Sequence, residues 1–278
     1  MINFGPFELS LRNHGFLHLD GGARFGTVPK MMWEKLMPSD GDNRIVLATW
    51  SLLIRAGDRL FMVDAGTGAL WPEKLRRIYA VELCPEGKNG YDPAAVTDLI
   101  ISHLHFDHGG GLFRRTPGSA EGIEPSFPRA TVYIQSANLE NLKHPNPRER
   151  ASYLRDTLAV LEQSHLILTD GSQEIFPGIW VHRSNGHTRG LQWIEVRHGG
   201  TAVVFPSDMI PLSSHVTLPY MMSYDINVER LLVEKEDFLN RAVSGDWTVV
   251  FEHDPDVPAA RLKFDDKGRV SIREPVSI

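Results

Sequence analysis

The sequence lacks the features of a disulfide-bonded or membrane-spanning protein. Its 278 residues include a single cysteine, Cys84, so no intrachain disulfide can form. No apolar run is long enough to cross a bilayer, and residues 1–19 lack the charged start and apolar core of a signal peptide. We therefore expect a soluble cytoplasmic protein with no membrane partner. We expect Cys84 to be an inert, buried or half-buried thiol.

Basic clusters and internal divisions are scarce as well. The formal net charge is −6, and the Lys and Arg residues form no stripe. Phosphate contacts need clustered basic side chains, so we expect no nucleic-acid partner. No Gly-x-Ser-x-Gly elbow is present to supply a serine nucleophile. No linker, repeat or low-complexity segment divides the chain, so we expect a single domain over residues 1–278.

The chain does contain one dense group of metal-binding side chains. Residues 103–108 read HLHFDH and hold three of the twelve histidines. Imidazole nitrogen and carboxylate oxygen are the donors that zinc and similar divalent metals accept. Burying so many titratable groups without a metal would leave several of them unpaired in a dry interior. The segment therefore predicts a metal site.

This segment should lie on a turn and not in a strand. In a regular strand His103, His105 and Asp107 would share one face and His108 would point away from it. An apolar run at residues 97–102 precedes the cluster, and three glycines follow it directly. The pattern predicts that a buried strand ends here and that the backbone bends sharply, so that the side chains converge. Two pairs of ligands, His103 with His105 and Asp107 with His108, suggest two metal ions.

Four ligands are too few for two ions, and three further donors occur in the second half of the chain. They are His187, Asp208 and His253. Each lies at the C-terminal end of an apolar segment with the composition of a strand. We expect them to complete the site.

HLHFDH and the three later donors, in this order, resemble the metallo-β-lactamase-fold hydrolase superfamily. VDAGTG at residues 63–68 is similar to the early strand-and-turn element of that family. FEHD at residues 251–254 is similar to the last ligand segment of its lactonase-like branch. The resemblance covers about residues 45–255. It implies an α/β (α+β) fold, a four-layer αβ/βα sandwich, with metals at one edge between the sheets.

The resemblance also implies how the ligands divide. It places one divalent ion on His103, His105 and His187, the other on Asp107, His108 and His253, and Asp208 between them. Zinc is the expected metal, with iron, manganese or cobalt as alternatives. We expect Asp64 to hold the ligand loop by a hydrogen bond, or else to cap a turn. Similar enzymes imply a homodimer.

Two ions that share a water make it a nucleophile near neutral pH and polarise a carbonyl or phosphoryl oxygen, so the implied reaction is hydrolysis. Asp107 is the candidate for orienting that nucleophile and passing its proton to the leaving group. The branch most similar in its motifs contains the quorum-quenching N-acyl-homoserine lactone hydrolases, which makes a lactone or related ester the leading substrate. A phosphotriesterase-like or aryl-ester hydrolase would use the same ligands. A non-catalytic metal-binding protein is the third alternative.

One position departs from the lactonase pattern. Those enzymes are expected to carry a tyrosine three residues after the bridging aspartate, where this chain has Pro211. Tyr220 or Tyr224 in the next loop could reach the same space and contact the substrate carbonyl, or both could simply pack the loop. Residues 25–33 are a candidate wall for an apolar part of a small-molecule substrate. They could equally form a dimer contact or a minor core.

Hydrophobic periodicity predicts two β-rich halves, each carrying a helix. The expected strands are residues 7–12, 45–55, 59–64, 99–102, 131–135, 178–182, 191–197, 201–205 and 248–251. The expected helices are residues 148–163 and 228–241, and residues 261–265 and 269–273 are expected to form a hairpin.

Overall fold

The structure is a computed structural model that describes residues 1–85 and 90–278. The strands within these ranges are β1 (Ile2–Phe4), β2 (Phe7–Asp20), β3 (Arg44–Ala56), β4 (Arg59–Val63), β5 (Glu82–Leu83), β6 (Asp98–Ile100), β7 (Phe113–Arg115), β8 (Ile123–Pro125), β9 (Thr131–Gln135), β10 (His165–Thr169), β11 (Gln173–Phe176), β12 (Ile179–Ser184), β13 (Leu191–His198), β14 (Thr201–Phe205), β15 (Thr248–Val250), β16 (Ala259–Phe264) and β17 (Val270–Pro275). The α-helices are α1 (Gly21–Phe25), α2 (Lys30–Trp33), α3 (Glu73–Ile78), α4 (Phe106–Gly109), α5 (Ser136–Lys143), α6 (Thr157–Leu161) and α7 (Val228–Ser244). Short 3-10 helices lie at Pro93–Ala95, Gly110–Leu112, Arg150–Ser152, Ser207–Met209 and Ser213–Val216.

The strands form two large sheets and one small hairpin. The first sheet has the order β1-β2-β3-β4-β6-β9-β10, with β5 paired to β2, and the second runs from β11 to β17 in chain order. Strands β4, β6, β9 and β10 are parallel neighbours. In the second sheet β14 is parallel to β15, and β12 runs in the same direction because both β12 and β14 are antiparallel to β13. The segments that follow β6, β12, β14 and β15 therefore leave their sheets at carboxyl edges.

Alternating side chains on the strands build separate cores on the two faces of each sheet. In β4, Phe61 and Val63 pack between the sheets, whereas Leu60 and Met62 pack on the outer face. In β14, Phe205 faces the core between the sheets and its neighbours alternate in the same way. A strand places successive side chains on opposite faces, so a sheet covered on both sides reads as a continuous apolar run.

Helices cover the outer face of each sheet. Leu139 of α5 and Val160 of α6 are buried against the first sheet. Phe238 and Leu239 of α7 are buried against the second. Each such side chain contributes about 1.5–3 kcal/mol when it is fully buried. The result is the predicted order of helix, sheet, sheet and helix. No helix in the two described ranges is both long enough and apolar enough to span a membrane.

The predicted helix at residues 148–163 was wrong. Only a 3-10 turn at Arg150–Ser152 and the short helix α6 form there. Arg148 donates to the carbonyl of Ser223, and Glu149 is buried within a network of hydrogen bonds. Glu149 keeps helical backbone angles, and the break comes at Tyr153, whose backbone is extended (φ −100°, ψ 134°) and whose hydroxyl accepts a hydrogen bond from Asn141 Nδ2 at 2.8 Å. A contact with another segment thus accompanies the loss of the helix that local periodicity predicts.

Other elements agree with prediction more closely. Helix α7 extends the predicted helix by three residues, and the C-terminal hairpin is present as β16 and β17. Strand β2 is longer than predicted, and α5, β10 and β11 were not predicted. Cys84 is half-buried, within the expected range.

Candidate metal centre

The HLHFDH segment lies on the predicted turn. His103 follows β6, His105 immediately precedes α4, and Asp107 and His108 belong to that short helix. All four side chains are buried. The turn brings them to one side, which a regular strand could not do.

Glycines allow the ligand loop to pack directly on the backbone of residues 64–68. A Cβ atom at Gly110 would lie 2.2 Å from the carbonyl oxygen of Thr67, and one at Gly111 would lie 2.0 Å from that of Ala65. Both distances are far inside van der Waals contact. Gly110 and Gly111 are therefore required by a close approach between two loops, whereas a Cβ at Gly109 would meet no atom nearer than 3.5 Å.

Asp64 supports the ligand loop from behind. Its carboxylate accepts hydrogen bonds from the backbone N and the Oγ of Ser102, both at 2.6 Å, and lies 3.0 Å from His108 Nδ1. This is the contact expected for Asp64. The Oε2 atom of Glu252 lies 3.0 Å from the same His108 nitrogen. Glu252 was not predicted, because a glutamate beside the last ligand carries no spacing signal of its own.

The later donors project from three separate strand ends. His187 follows β12, Asp208 lies in the 3-10 turn after β14, and His253 follows β15. Asp208 Oδ2 lies 3.2 Å from His187 Nε2, and Oδ1 lies 3.3 Å from His253 Nε2. Asp208 Oδ2 is also 3.5 Å from His108 Nε2. Asp208 thus lies between histidines of both expected groups.

All seven predicted ligands come together. Donor atoms that lie within 4.8 Å of one another form two groups, His103, His105 and His187 in one, and Asp107, His108, Asp208 and His253 in the other. In the first group His105 Nδ1 is 3.0 Å from His103 Nε2 and 3.3 Å from His187 Nε2. In the second, the Nε2 atoms of His108 and His253 are 3.3 Å apart.

Two of these histidines have a hydrogen-bond partner on Nδ1, the ring nitrogen that points away from the cluster. That partner determines the tautomer of each ring. His253 Nδ1 lies 2.8 Å from the carbonyl oxygen of Ala48, and His187 Nδ1 lies 2.9 Å from Asp225 Oδ1. A carbonyl oxygen only accepts, so Nδ1 of His253 carries the hydrogen and its Nε2 is free to bind a metal. The Asp225 carboxylate likewise accepts a hydrogen bond from Nδ1 of His187, which leaves Nε2 of His187 facing the cluster. Orientation of this kind is typical of metal-binding histidines.

The charges of the site also suit a cation. Burial, with the charges of neighbouring histidines, holds the pKa of His103 well below its usual range, so its ring stays neutral. Burial alone would raise the pKa of Asp208, but Arg24, His187 and His253 hold it well below its usual range. Burial would lower the pKa values of His108 and His187 as well, but neighbouring carboxylates, Glu252 for His108 and Asp208 for His187, raise both. The buried site therefore concentrates negative charge that a bound divalent cation would balance in place of protons. These residues fit a divalent metal by donor type, tautomer and charge.

A cavity of about 250 Å³ opens onto this cluster. Predicted ligands in its wall are His105, Asp107, His187 and Asp208. Tyr224 also lines the cavity, as expected for a residue that contacts substrate. Burial raises the pKa of Tyr224 to about 12, so its hydroxyl remains a hydrogen-bond donor at neutral pH.

Tyr220 does not line this cavity. Its ring packs edge-on against Phe25, with ring centroids 6.0 Å apart. Its carbonyl accepts a hydrogen bond from Lys235 Nζ at 2.6 Å, and its backbone N donates to Thr217 within a turn. These contacts direct Tyr220 into a small core, so of the two candidate tyrosines only Tyr224 is placed at the site.

The segment 25–33 forms a minor core, which was one of its alternatives. Phe25 and Trp33 are 0% and 1% exposed and stack with centroids 5.6 Å apart. Met31 and Met32 are exposed. The apolar wall of the cavity is instead provided by other residues, Leu19, Tyr79 and Phe106.

Sequence reasoning missed two charged residues beside the cluster. Arg24 is buried and lines the cavity next to Asp208. The buried carboxylate of Glu149 lies 3.8 Å from His105 Nε2. Arg24 occurs in a segment with the composition of an exposed loop and Glu149 in a predicted helix, and no spacing rule marks either residue.

Comparison with known proteins agrees with this geometry. A model of the metallo-beta-lactamase superfamily matches residues 44–114. An N-acyl homoserine lactonase from a Bacillus species is 29% identical over 103 residues, 37% of this chain and 34% of that protein. The matched segments span only 34–39% of the length of the first lactonase relatives.

Solved structures match over the whole chain. A probable metal-dependent hydrolase from Staphylococcus aureus superposes with a TM-score of 0.86 and 26% identity, covering 99% of this chain and 100% of that one. A dizinc quorum-quenching lactonase in complex with a product has a TM-score of 0.76 and 19% identity, covering 100% and 97%. The predicted mixed α/β sandwich is confirmed, and residues 44–114 are similar to the metallo-beta-lactamase superfamily.

Proposed function

We propose that this protein is a metal-dependent hydrolase that opens lactone or related ester bonds. One divalent ion would be held by His103, His105 and His187, and the other by Asp107, His108 and His253, with Asp208 shared. The observation that carries the proposal is the position of Asp208, whose two oxygens lie 3.2 Å from His187 Nε2 and 3.3 Å from His253 Nε2.

When bound, divalent ions at such a site lower the pKa of water toward neutrality and act as Lewis acids on a substrate oxygen. Zinc suits the mixed nitrogen and oxygen donors, and one structural neighbour is a dizinc lactonase. Iron, manganese and cobalt accept the same donors.

We propose a proton-transfer role for Asp107. Its oxygens lie 3.7 Å from His108 Nε2 and 3.7 Å from His253 Nε2, and it lines the cavity. It is therefore at the boundary between the ligand cluster and the substrate space. In our proposal Asp107 takes a proton from the attacking water and delivers it to the leaving oxygen.

In our proposal Tyr224, which lines the same cavity, orients the substrate. Since its pKa is about 12, its hydroxyl can donate to a carbonyl oxygen throughout the physiological range. This role would replace that of the tyrosine expected at Pro211.

The cavity wall favours a substrate with an apolar portion. The rings of Tyr79 and Phe106 stack with centroids 5.6 Å apart, and Trp71 packs edge-on against Phe106 at 5.0 Å. Stacked aromatic rings form a rigid apolar surface, suited to an acyl chain or an aromatic leaving group. The single domain, the homodimer and the cytoplasmic location stay predictions.

The test combines metal content with a substrate panel. Elemental mass spectrometry of wild type and Asp208→Ala would accompany assays on aliphatic lactones, 4-nitrophenyl hexanoate and a phosphotriester. Two metals per chain, with lactone opening that is lost in the variant, would support the proposal. Activity on the phosphotriester alone would replace the substrate class, and a folded wild type that binds no metal after reconstitution would overturn the proposal.

A further inference from the structure

Arg24 is a buried cation with few partners. Its side chain is 1% exposed. One nitrogen, Nη1, lies 2.9 Å from the thioether sulfur of Met222, a weak acceptor, and Nη2 lies 3.5 Å from Asp208 Oδ1. Within residues 1–85 and 90–278, Nε has no hydrogen-bond partner. A guanidinium keeps its charge at all physiological pH values, so this charge is buried without adequate compensation.

A second buried cation, Lys235, has its charge compensated by hydrogen bonds. Lys235 is 0% exposed, yet its Nζ donates to three backbone carbonyls, those of Thr217, Leu218 and Tyr220, at 3.1, 3.2 and 2.6 Å. Lys235 therefore has a structural role that its contacts explain. The contacts of Arg24 do not satisfy it in the same way.

The structure holds Arg24 in place at the cavity. Its carbonyl lies 3.1 Å from His215 Nε2, and Asp20 caps helix α1 by accepting from Ala23 N at 2.7 Å. The carbonyl of Ala23 accepts from Ser223 N at 2.8 Å. Arg24 lines the cavity on a backbone that is fixed on both sides, as expected for a preorganised binding residue.

Carboxylates near the cavity are already engaged. Asp107 and Asp208 belong to the expected ligand groups. Asp225 pairs with His187 Nδ1 and accepts from the backbone N of Met222. Glu149 accepts from Thr188, Asn141 and Asn146. The donor capacity of Arg24 is therefore available to a bound molecule.

We propose that Arg24 binds the acyl oxygen of the substrate, an inference that rests on the proposed hydrolase function. In ester or lactone hydrolysis, water adds to the acyl carbon and the bond from that carbon to the leaving oxygen breaks. One proton reaches the leaving oxygen through Asp107, and the other is released as the product acid ionises. Negative charge grows on the acyl oxygen and stays on the product carboxylate, where a guanidinium forms strong charge-assisted hydrogen bonds.

A purely structural role gives different expectations. If Arg24 only held Asp208 in position, its loss would misplace that expected ligand and weaken metal binding, and it would affect charged and neutral ligands equally. If Arg24 contacts the acyl oxygen, metal content is retained and the loss is selective for a carboxylate.

The experiment uses full-length, metal-loaded protein and compares wild type with Arg24→Met, Arg24→Lys and Arg55→Met. Arg55 is an exposed strand residue that pairs with Glu8, so its variant controls for the loss of one positive charge. Calorimetry would measure binding of hexanoate and of its neutral isostere hexanamide. Elemental mass spectrometry would give the metal content of every variant.

We expect Arg24→Met to keep its metal and to lose at least about 10-fold in hexanoate affinity, with hexanamide affinity unchanged. Its kcat on 4-nitrophenyl hexanoate should fall by about 10²–10³-fold, the usual effect of removing an oxyanion donor. Arg24→Lys should fall between wild type and Arg24→Met, and Arg55→Met should match wild type.

Equal hexanoate affinity in wild type and Arg24→Met would overturn the inference, as would loss of metal from both Arg24 variants. These results differ from a failure of the proposed function. In that case wild type itself would hydrolyse no member of the panel, while the selectivity for hexanoate would still report directly on Arg24.

Discussion

The two sheets contribute to the candidate metal centre in different ways. The first sheet supplies four donors from one six-residue turn after β6. The second supplies three donors from three separate strand ends, after β12, β14 and β15. The first contribution depends on one loop, whereas the second depends on the alignment of a whole sheet.

Support for the donors follows the same division. The turn after β6 rests as a unit on Asp64 and on the glycine contacts with residues 65–67. In the second sheet each histidine has its own outer partner, Asp225 for His187 and the Ala48 carbonyl for His253. A substitution in the shared support should therefore weaken metal binding by the whole centre. A substitution in the partner of a single histidine should weaken metal binding by one part of it.

The largest effect is expected from Gly110→Ala. The new Cβ would lie 2.2 Å from the Thr67 carbonyl oxygen, so one of the two loops must move and displace all four donors of the turn. We expect a destabilisation of about 3 kcal/mol and loss of both ions. Thermal unfolding and elemental analysis would measure these effects. Gly41→Ala is the control, because no atom lies within 4 Å of the added Cβ, and an unaffected Gly110→Ala would break the comparison.

A smaller and more local effect is expected from Asp225→Asn. The variant weakens the orientation of His187 alone, and loss of such an outer partner costs about 10–100-fold in metal affinity. Metal titration should show one weakened ion. The matched variant Asp64→Asn alters the support of the entire turn and should weaken both ions. Identical metal-binding curves for the two variants would show that support is not divided between the halves.

Tyr224→Phe should have a modest effect that is confined to turnover. It removes one hydroxyl donor from the cavity, which is worth about 1 kcal/mol or roughly 5-fold in kcat/KM. Tyr220→Phe, the same change outside the cavity, is the control. Steady-state kinetics of both variants on one ester would measure kcat/KM. Equal kcat/KM values for Tyr224→Phe and wild type would show that this hydroxyl has no role in the mechanism.

The smallest effect on the site is expected from a change in the scaffold of the second sheet. Burial raises the pKa of Glu195, but hydrogen bonds from His182 at 2.8 Å and Arg197 at 2.6 Å lower it to about 2. The folded pKa lies below the unfolded value, so the ionised carboxylate stabilises the protein above about pH 4.5. That contribution is lost as the pH falls toward 2.

Glu195→Gln should therefore be less stable than wild type at pH 7, by about 1–2 kcal/mol after allowance for solvent screening at Arg197. The difference should shrink between pH 4.5 and pH 2, with metal content at pH 7 unchanged. Urea unfolding at several pH values measures it. A stability difference that widened at low pH would contradict a lowered pKa for Glu195 in the folded protein.

The sequence predicted the candidate ligands, which the fold brings together, because their signal is local or lies at strand ends. HLHFDH cannot converge in a strand, and the glycines after it indicate a turn. His187, Asp208 and His253 follow apolar strands, and carboxyl edges bring such residues together. The ligand assignment itself came from family resemblance, since spacing alone does not divide seven donors between two ions.

The rest of the site depends on contacts between distant segments. Arg24 is separated from Asp208 by 184 residues, and Glu149 from Thr188 by 39. Neither pairing leaves a periodic pattern. The predicted helix at residues 148–163 failed in a related way, because the backbone is extended at Tyr153, whose hydroxyl bonds to Asn141 outside the segment.

The arrangement of the donors along the chain has a consequence for folding during synthesis on the ribosome. His253 contacts His108 across 145 residues and Ala48 across 205 residues of a 278-residue chain. The HLHFDH turn therefore leaves the exit tunnel long before its last partner exists. When the turn emerges, only four of the seven predicted donors are present, and the last is added with residue 253. Such non-local closure slows folding and leaves intermediates open to aggregation or to premature capture of stray metal ions.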